Sequence, residues 1–440
     1  MDNVEIKKNI GLYIHIPFCI RKCLYCDFLS GAADDNVKKE YVSALISEIR
    51  QWKGIIRQNY NIKTIFVGGG TPTCLEPELL YDIGNELSDI VDSVEEFTIE
   101  ANPGTITKKH IDIFKEIGVN RVSLGLQSSV DAELKKLGRI HTYDEFLKSY
   151  DKVLNGGITN INIDIMSDIP GQTLESYQYT LNNVVKLKPE HISAYSLIIE
   201  PETPFYEMEQ SGKLDIADED TDRKMYHFTK EFLRENGYKR YEISNYSHEG
   251  MECKHNITYW SANEYLGVGL GASSYLAGMR FSNERKLEKY IEVYHGNEKS
   301  NVFDINMNRS ISAVSKIVSE KKIVVDYSEE ADKKTNAKES AMLAKFEEVK
   351  NIADTKEDMI VLDRKAMMEE YMFLGLRMCD GVSHKEFKRR FCVDIREIYG
   401  GVIDKFLQNR LLAEDCNSGR IYLTERGIDI SNYVMSEFML

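Results

Sequence analysis

The stretch FCIRKCLYCDF, at residues 18–28, places three thiols within eight positions in the spacing C-x3-C-x2-C. The cysteines are Cys19, Cys23 and Cys26. An alternating apolar run at 11–16 precedes them and predicts a strand, so the thiols belong to the loop that leaves it. The other five cysteines are scattered singly, and we interpret them as small buried side chains and not as a disulfide framework.

Three kinds of site could use these thiols. A zinc site usually has four Cys or His ligands, and the nearest further ligand is His15, whose place in an alternating strand indicates a packed residue. A redox pair of Cys23 and Cys26 leaves Cys19 without a role. An iron–sulfur cluster uses all three thiolates and leaves one iron without a protein ligand.

An open iron has a chemical use, because a small molecule with an amine and a carboxylate can chelate it. S-adenosylmethionine (SAM) carries both groups on its methionine end. An electron from the cluster can then split its S–C5′ bond into methionine and a 5′-deoxyadenosyl radical. The spacing therefore predicts a [4Fe–4S] cluster bound by Cys19, Cys23 and Cys26, with SAM beside it.

The composition excludes several classes of protein. The chain has 440 residues, and 71 Asp and Glu against 56 Lys and Arg give a formal net charge of −15. This balance argues against a protein that binds nucleic acid or anionic membranes. No apolar run is long enough to span a bilayer, and the N-terminus lacks the apolar region of a signal peptide. We therefore expect a cytoplasmic protein with no integral membrane segment and no nucleic-acid partner.

Short β-rich runs alternate with amphipathic segments in the first half of the chain, a pattern typical of parallel βαβ units. The strand candidates are residues 11–16, 63–67, 96–100, 121–126, 160–166 and 191–198. Six such units predict an α/β fold, an incomplete (β/α)6-type barrel whose chemistry lies at the carboxyl ends of the strands.

The pattern of residues changes in the later part of the chain, which indicates that the chain is divided into domains. A capping box at 383–386 and two strand-like runs around a polar turn at 410–427 predict a small winged-helix-like α+β domain at the C-terminus. The predicted division is a partial barrel at 1–235, a barrel extension at 236–300, a charged insertion at 301–362 and the C-terminal domain at 363–440.

The segment YIHIPFCIRKCLYCDF, at 13–28, resembles the radical SAM superfamily. Within it, the segment looks like the branch that contains the oxygen-independent coproporphyrinogen III dehydrogenases and the HemW haem chaperones. The resemblance continues through GGGTPT at 68–73, IEANPG at 99–104, SLGLQS at 123–128, KKLGRIHT at 135–142 and NIDIM at 162–166.

The resemblance implies a set of SAM contacts. They are Tyr13, Tyr25, Gly69, Gly70, Thr71, Glu100, Gln127, Arg139 and Asp164. The glycines let the backbone present C=O and N–H groups to the methionine ammonium. Gln127 and Arg139 match the residues that hold the ribose and the methionine carboxylate of SAM. An arginine suits a carboxylate because its fork can donate two parallel hydrogen bonds. Asp164 matches the acceptor of both ribose hydroxyls, and Tyr25 matches an aromatic position near adenine.

One stretch departs from the family pattern. MSDIPGQT, at 166–173, has Ser167 and Asp168 where the family more often shows a glycine after the strand-five aspartate. The departure could alter the floor of the pocket, but it leaves the implied SAM contacts in place.

Three features separate the chaperones from the dehydrogenases. The dehydrogenases carry a further cysteine two residues after the third, where this chain has Phe28, and they have an N-terminal extension ahead of the barrel, whereas only about a dozen residues precede the first strand here. HNITYW, at 255–260, resembles the haem-associated H-N-x-x-Y-W motif, with His255 as the implied axial ligand of haem iron. Cys253 and Met251 are the substitute ligands.

These features favour a haem chaperone that passes haem to acceptor proteins, among which respiratory proteins are to be considered. The alternatives are coproporphyrinogen III dehydrogenase or another porphyrin-modifying radical SAM enzyme, and an iron–sulfur protein without a porphyrin role. The sequence leaves open whether SAM is cleaved, so it does not decide whether the protein is an enzyme. It also leaves open whether the chain forms a homodimer.

Overall fold

The computed structural model describes residues 7–90, 93–295 and 356–440. All six predicted strands are present, and they lie side by side in chain order as a parallel sheet. Their bounds are Lys8–Ile16 (β1), Tyr60–Gly69 (β2), Glu96–Ala101 (β3), Arg121–Gln127 (β4), Asn160–Ser167 (β5) and His191–Ser196 (β6). Their carboxyl ends therefore meet at one edge, from which the motif-bearing loops leave.

Further strands extend this sheet on both sides. They are Lys239–Arg240 (β7), Asn245–Ser247 (β8), Tyr265–Val268 (β9), Ser273–Leu276 (β10), Met279–Asn283 (β11) and Lys356–Val361 (β12). Strand β9 is parallel to β1, and β8 is antiparallel to β6. The order β12-β11-β10-β9-β1-β2-β3-β4-β5-β6-β8-β7 has two edge strands, so within the described residues the barrel stays open. The predicted α/β fold with an incomplete barrel is confirmed.

Helices cover the parallel sheet, as the amphipathic segments predict. Helices α1–α10 are Asp35–Asn59, Pro77–Leu87, Lys108–Glu116, Asp131–Lys136, Tyr143–Asn155, Leu174–Leu187, Pro204–Gln210, Glu219–Glu235, Lys254–Trp260 and Leu287–His295. Helix α1 buries Leu45, Ile49 and Trp52 in the main core. Helix α5 begins at a capping box, in which Thr142 and Glu145 each accept the backbone N–H of the other.

The predicted insertion at 301–362 lies outside the described residues except for its end. That end is β12, which pairs antiparallel with β11 and belongs to the sheet. The Nζ of Lys356 forms an ion pair with Glu48, and both side chains are fully buried. Asn283 and Tyr290 also donate to the Glu48 carboxylate, which satisfies the charge inside the core. Residues 356–361 of the predicted insertion therefore belong to the sheet.

The C-terminal residues form a separate core with a three-stranded sheet in the order β13-β15-β14. Its strands are Val382–Ser383 (β13), Leu412–Asp415 (β14) and Arg420–Leu423 (β15), and β14 and β15 form the predicted hairpin. Its helices α11–α15 are Arg364–Gly375, His384–Phe391, Ile395–Gln408, Glu425–Ile428 and Ser431–Ser436. The element order, with three helices before the hairpin, agrees with the predicted winged-helix-like domain.

Candidate functional site

The cysteine loop leaves the carboxyl end of β1, and its three thiols are half-buried. The backbone holds the loop in place: Cys19 N–H donates to Gly31 O at 2.9 Å, and Leu24 N–H donates to Leu137 O at 3.0 Å. Burial raises the pKa of the Cys26 thiol. Among the described residues, no three His, Cys, Asp or Glu side chains converge on a point where one ion could bind. A cluster takes one thiolate per cysteine-bound iron, so three separate thiols in one loop suit a cluster better than a single ion.

The GGGTPT turn follows β2 and packs against the cysteine loop. Gly69 has φ +106°, and a Cβ there would lie 2.3 Å from the ring of His15, while a Cβ at Gly70 would lie 2.6 Å from Phe18 O. The N–H groups of Gly69, Gly70 and Thr71 are already bound inside the protein. These N–H groups are therefore not offered to a ligand as expected, and the close contacts of a Cβ show that the glycines are needed for packing.

Thr71 and Arg139 each contact one cysteine, and Asn102 lies between them. The Thr71 hydroxyl lies 3.6 Å from Cys19 Sγ, and Arg139 Nη1 lies 3.7 Å from Cys23 Sγ. Asn102 Nδ2 donates to Thr71 Oγ1 at 2.6 Å, and Arg139 Nη2 donates to Asn102 Oδ1 at 2.8 Å. These five side chains form one continuous chain of contacts.

Arg139 is held close to β4 by a glycine. Its Nη2 donates to Gly125 O, and a Cβ at position 125 would lie 2.8 Å from Nη2 and 3.1 Å from Asn102 Oδ1. The Nε–H of Arg139 is buried and has no hydrogen-bond partner among the described residues. An arginine with an unsatisfied buried N–H can donate a hydrogen bond to an anionic group such as a carboxylate.

Glu100, near the end of β3, and Asp164, within β5, form an acidic pair. Glu100 Oε2 accepts the N–H of Gly69 at 3.1 Å, and Asp164 accepts from Asn162 at 2.7 Å. Burial, together with the charge of Asp164, raises the pKa of Glu100 to about 7. The pKa of the Tyr13 hydroxyl is raised by burial and by the nearby charge of Glu100. Tyr13 is therefore a neighbour of this acidic pair. The region suits a cation or a group with several hydroxyls.

Gln127 and Tyr25 complete the set on the other side of Arg139. Gln127 ends β4 with φ +70°, and its Oε1 accepts the hydroxyl hydrogen of Tyr195 at 2.8 Å. This bond leaves the Gln127 amide NH2 as a donor for a ligand. Burial raises the pKa of Tyr25, while the nearby charge of Arg139 opposes the rise, so Tyr25 lies beside the same guanidinium.

Asp168, the departure noted after β5, adopts a conformation that favours glycine. Its φ is +60°, and its side chain accepts the N–H of Ala217 at 2.9 Å. Aspartate is among the residues that tolerate the left-handed region, because its short side chain forms local hydrogen bonds. The substitution therefore keeps the backbone of the turn.

Sequence reasoning missed two residues of this site. Asn102 lies within the quoted IEANPG motif, but only the neighbouring Glu100 received a role. Cys74 was interpreted as a small buried side chain, but it is half-buried and lines the same cleft as Cys23, Asn102 and Arg139. Burial raises the pKa of Cys74, and the nearby thiol of Cys19 adds to the rise. The signal for Cys74 was its place directly after GGGTPT.

His255, the implied haem ligand, is buried and bonded inside the protein. The side chain is 1% exposed, Nδ1 lies 2.8 Å from Thr64 Oγ1, and Nε2 lies 2.8 Å from the Tyr259 hydroxyl. Its ring stacks on Phe66 with centroids 5.2 Å apart. Burial lowers the pKa of His255 to about 3, so the imidazole is neutral. An axial ligand needs a ring nitrogen directed at the iron, whereas both ring nitrogens here lie against protein hydroxyls, so haem ligation by His255 stays a prediction.

The HNITYW motif also lies away from the cysteines. Glu96, the first residue of β3, accepts the backbone N–H groups of Lys254 and His255 and so caps α9 at the amino end of the parallel strands. His255 lies beside Gly11 of β1, because a Cβ at Gly11 would touch its ring. From Gly11, five strand residues at ~3.3 Å each lead to Ile16, which directly precedes the cysteine loop, so the motif and the thiols lie at opposite ends of β1. Cys253 is fully buried, whereas Met251 is 38% exposed.

Comparison with known proteins places the chain in a family. The model of the radical SAM superfamily matches residues 13–184, and that of the HemN C-terminal domain matches residues 362–430. The chain is 33% identical to "Heme chaperone HemW" of Lactococcus lactis over 437 residues, covering 99% of this chain and 98% of the relative. The chain belongs to the HemW family. Membership of the radical SAM superfamily implies a [4Fe–4S] cluster and SAM as cofactors.

Other HemW proteins and one solved structure agree with this placement. "Heme chaperone HemW" of Bacillus subtilis is 33% identical, covering 97% of this chain and 98% of the relative. Coproporphyrinogen III oxidase (HemN) from Escherichia coli matches with a TM-score of 0.73 at 18% identity, covering 98% of this chain and 90% of that chain. At that identity the likeness to HemN shows a shared fold alone. Within the described residues, no helix is long and apolar enough to cross a membrane.

Proposed function

We propose that this protein is a haem chaperone that binds haem and transfers it to acceptor proteins. One observation carries the proposal: nearly the whole chain aligns with relatives that bear the name heme chaperone HemW. Phe28, at the position where the resemblance sets a cysteine in the dehydrogenases, supports the same choice.

The cluster ligands in this proposal are Cys19, Cys23 and Cys26. Three half-buried thiols in one loop are a suitable donor set for a [4Fe–4S] cluster, and they leave one iron for a small-molecule ligand. When bound, cluster and SAM together supply one-electron chemistry at the S–C5′ bond.

The protein's own residues then orient SAM. The carbonyls of Gly69 and Gly70, beside Thr71, would face the ammonium, and Glu100 adds negative charge nearby. The unsatisfied Nε–H of Arg139 supports a role in binding the carboxylate.

The ribose and adenine would lie towards the next strands in the same proposal. Asp164 offers carboxylate oxygens for the ribose hydroxyls, and Gln127 offers its amide NH2. Tyr25 packs against the adenine, and Tyr13 borders the site next to Glu100.

Haem is the cargo in this proposal, and its iron ligand is not assigned to His255. Of the residues considered near HNITYW, His255 and Cys253 are buried, and Met251 alone is exposed. Ligation within this segment therefore requires Met251 or an opening of helix α9. The acceptor, a homodimer and a cytoplasmic location stay predictions.

One experiment separates the chaperone from the dehydrogenase. The protein is reconstituted anaerobically and given haem in one sample, and coproporphyrinogen III with SAM and a strong reductant in another. We expect a shifted, saturable Soret band with haem, transfer of that haem to apomyoglobin, and no protoporphyrinogen. Accumulation of protoporphyrinogen over many turnovers would overturn the proposal in favour of the dehydrogenase.

A further inference from the structure

Asn102 joins two contacts that reach two different cysteines. Its amide nitrogen donates to Thr71 Oγ1 at 2.6 Å, and its amide oxygen accepts from Arg139 Nη2 at 2.8 Å. At the two ends of this series of contacts, the Thr71 hydroxyl lies 3.6 Å from Cys19 Sγ and Arg139 Nη1 lies 3.7 Å from Cys23 Sγ. The three polar residues come from the ends of three different parts of the barrel, after β2, after β3 and after α4.

The direction of each hydrogen bond follows from the chemistry of the asparagine. Arg139 has only donors, so the Asn102 oxygen must face it and the Asn102 NH2 must face Thr71. Thr71 Oγ1 then accepts from Asn102, and its own hydrogen is free to point at Cys19 Sγ. Asn102 thereby makes Thr71 a donor towards the neighbouring sulfurs, of which Cys19 Sγ lies at 3.6 Å and Cys74 Sγ is a second acceptor. An apolar residue at 102 would leave the Thr71 hydroxyl free to rotate.

Donors to cluster sulfurs have a specific electronic consequence. The reduced cluster carries one more negative charge than the oxidised one, so a hydrogen bond or a cation at a ligating sulfur stabilises the reduced form more. Such contacts are among the properties that set the reduction potential of iron–sulfur clusters. Thr71 supplies a hydrogen bond and Arg139 supplies a full positive charge.

We propose that Asn102 is a positioning residue that holds Thr71 and Arg139 against Cys19 and Cys23, and that these contacts raise the reduction potential of the cluster. The inference rests on the proposed function in one respect, the assignment of these cysteines as cluster ligands. It adds residues beyond the cysteines to the control of the cluster's electronic properties.

The test is a potentiometric titration of the reconstituted full chain, followed by the EPR signal of the reduced cluster. The variants are Thr71→Val, Asn102→Ala and their combination, each without SAM. Both single variants should shift the midpoint potential to more negative values at unchanged iron content. The double variant should shift it by less than the two single shifts together, because Asn102 acts partly through Thr71.

Two matched variants distinguish this role from general packing. Thr71→Ser keeps the hydroxyl and should retain the wild-type potential. Asn245→Ala removes a buried asparagine of β8, next to the far edge of the sheet, that donates to Glu242 at 2.6 Å, and its potential should also be unchanged. If Thr71→Val fails to hold iron while Thr71→Ser holds it, the hydroxyl is needed for cluster binding, and the potential of Asn102→Ala then decides the inference.

Unchanged potentials in Thr71→Val and Asn102→Ala, at full iron content, would overturn the inference while leaving the proposed function intact. An equal shift in Asn245→Ala would also overturn it, because the effect would then reflect loss of packing. A wild-type protein that assembles no cluster would instead overturn the ligand assignment within the proposed function.

Discussion

Replacing His255 with alanine tests whether its imidazole belongs to the core or to haem. The change removes two buried hydrogen bonds, to Thr64 Oγ1 and to the Tyr259 hydroxyl, each 2.8 Å long. It also removes the ring that stacks on Phe66. Two lost hydrogen bonds at ~1 kcal/mol each, with unsatisfied partners and a cavity behind them, give a destabilisation of about 3–5 kcal/mol.

The free energy of unfolding is measured by urea denaturation of the cluster-free protein, for the wild type and for His255→Ala. The two transitions are comparable if the free energy falls with urea concentration at the same slope in both. The matched control is His227→Ala, whose side chain is 46% exposed and lies 3.5 Å from Asp429. An exposed pair of this kind contributes ~0.2–1 kcal/mol, so the control should stay near wild type. Haem titrations of the same samples give the Soret band.

The structure predicts that His255→Ala loses haem binding only in proportion to its loss of folded protein. A variant with wild-type stability that has lost the Soret shift would refute this reasoning. In that case the imidazole would be available to haem iron in solution, and helix α9 would have to open from its contacts with β1–β3.

Three further predictions concern the cysteine loop and the SAM contacts. Changing the three loop cysteines to alanine should remove the iron and the absorbance near ~400 nm expected of a cysteine-held cluster, whereas Cys74→Ser should keep both. Arg139→Ala and Asp164→Ala should each weaken SAM binding roughly 10- to 100-fold by calorimetry, since a charge-assisted contact contributes about 1.5–3 kcal/mol; unchanged affinity in both contradicts the placement. Glu100 keeps its proton in the folded state up to about pH 7, against a usual pKa of 4.5, so stability should fall as pH rises from 4.5 to 7. Glu100→Gln should flatten this slope in urea unfolding.

The sequence alone determined the features that depend on neighbouring residues. The six parallel strands follow from local runs of apolar and β-branched side chains, and the capping boxes at Thr142 and Ser383 both mark observed helix starts. The three thiols lie within eight positions, so their loop needed no tertiary information. His15 is packed as its alternating strand indicates, with Nε2 2.8 Å from Leu29 O.

Only the tertiary structure decided the partners that lie far apart in the chain. His255 and Thr64 are 191 residues apart, and Lys356 and Glu48 are 308 apart, so no local pattern shows that each pair is buried together. Asn102 joins Thr71, 31 residues before it, to Arg139, 37 residues after it. A motif states which residue types are present, but the burial and the direction of each donor depend on which strands lie side by side. This is the physical reason why the spacing of the three cysteines predicts a cluster without tertiary information, whereas the burial of His255 could not be predicted from HNITYW.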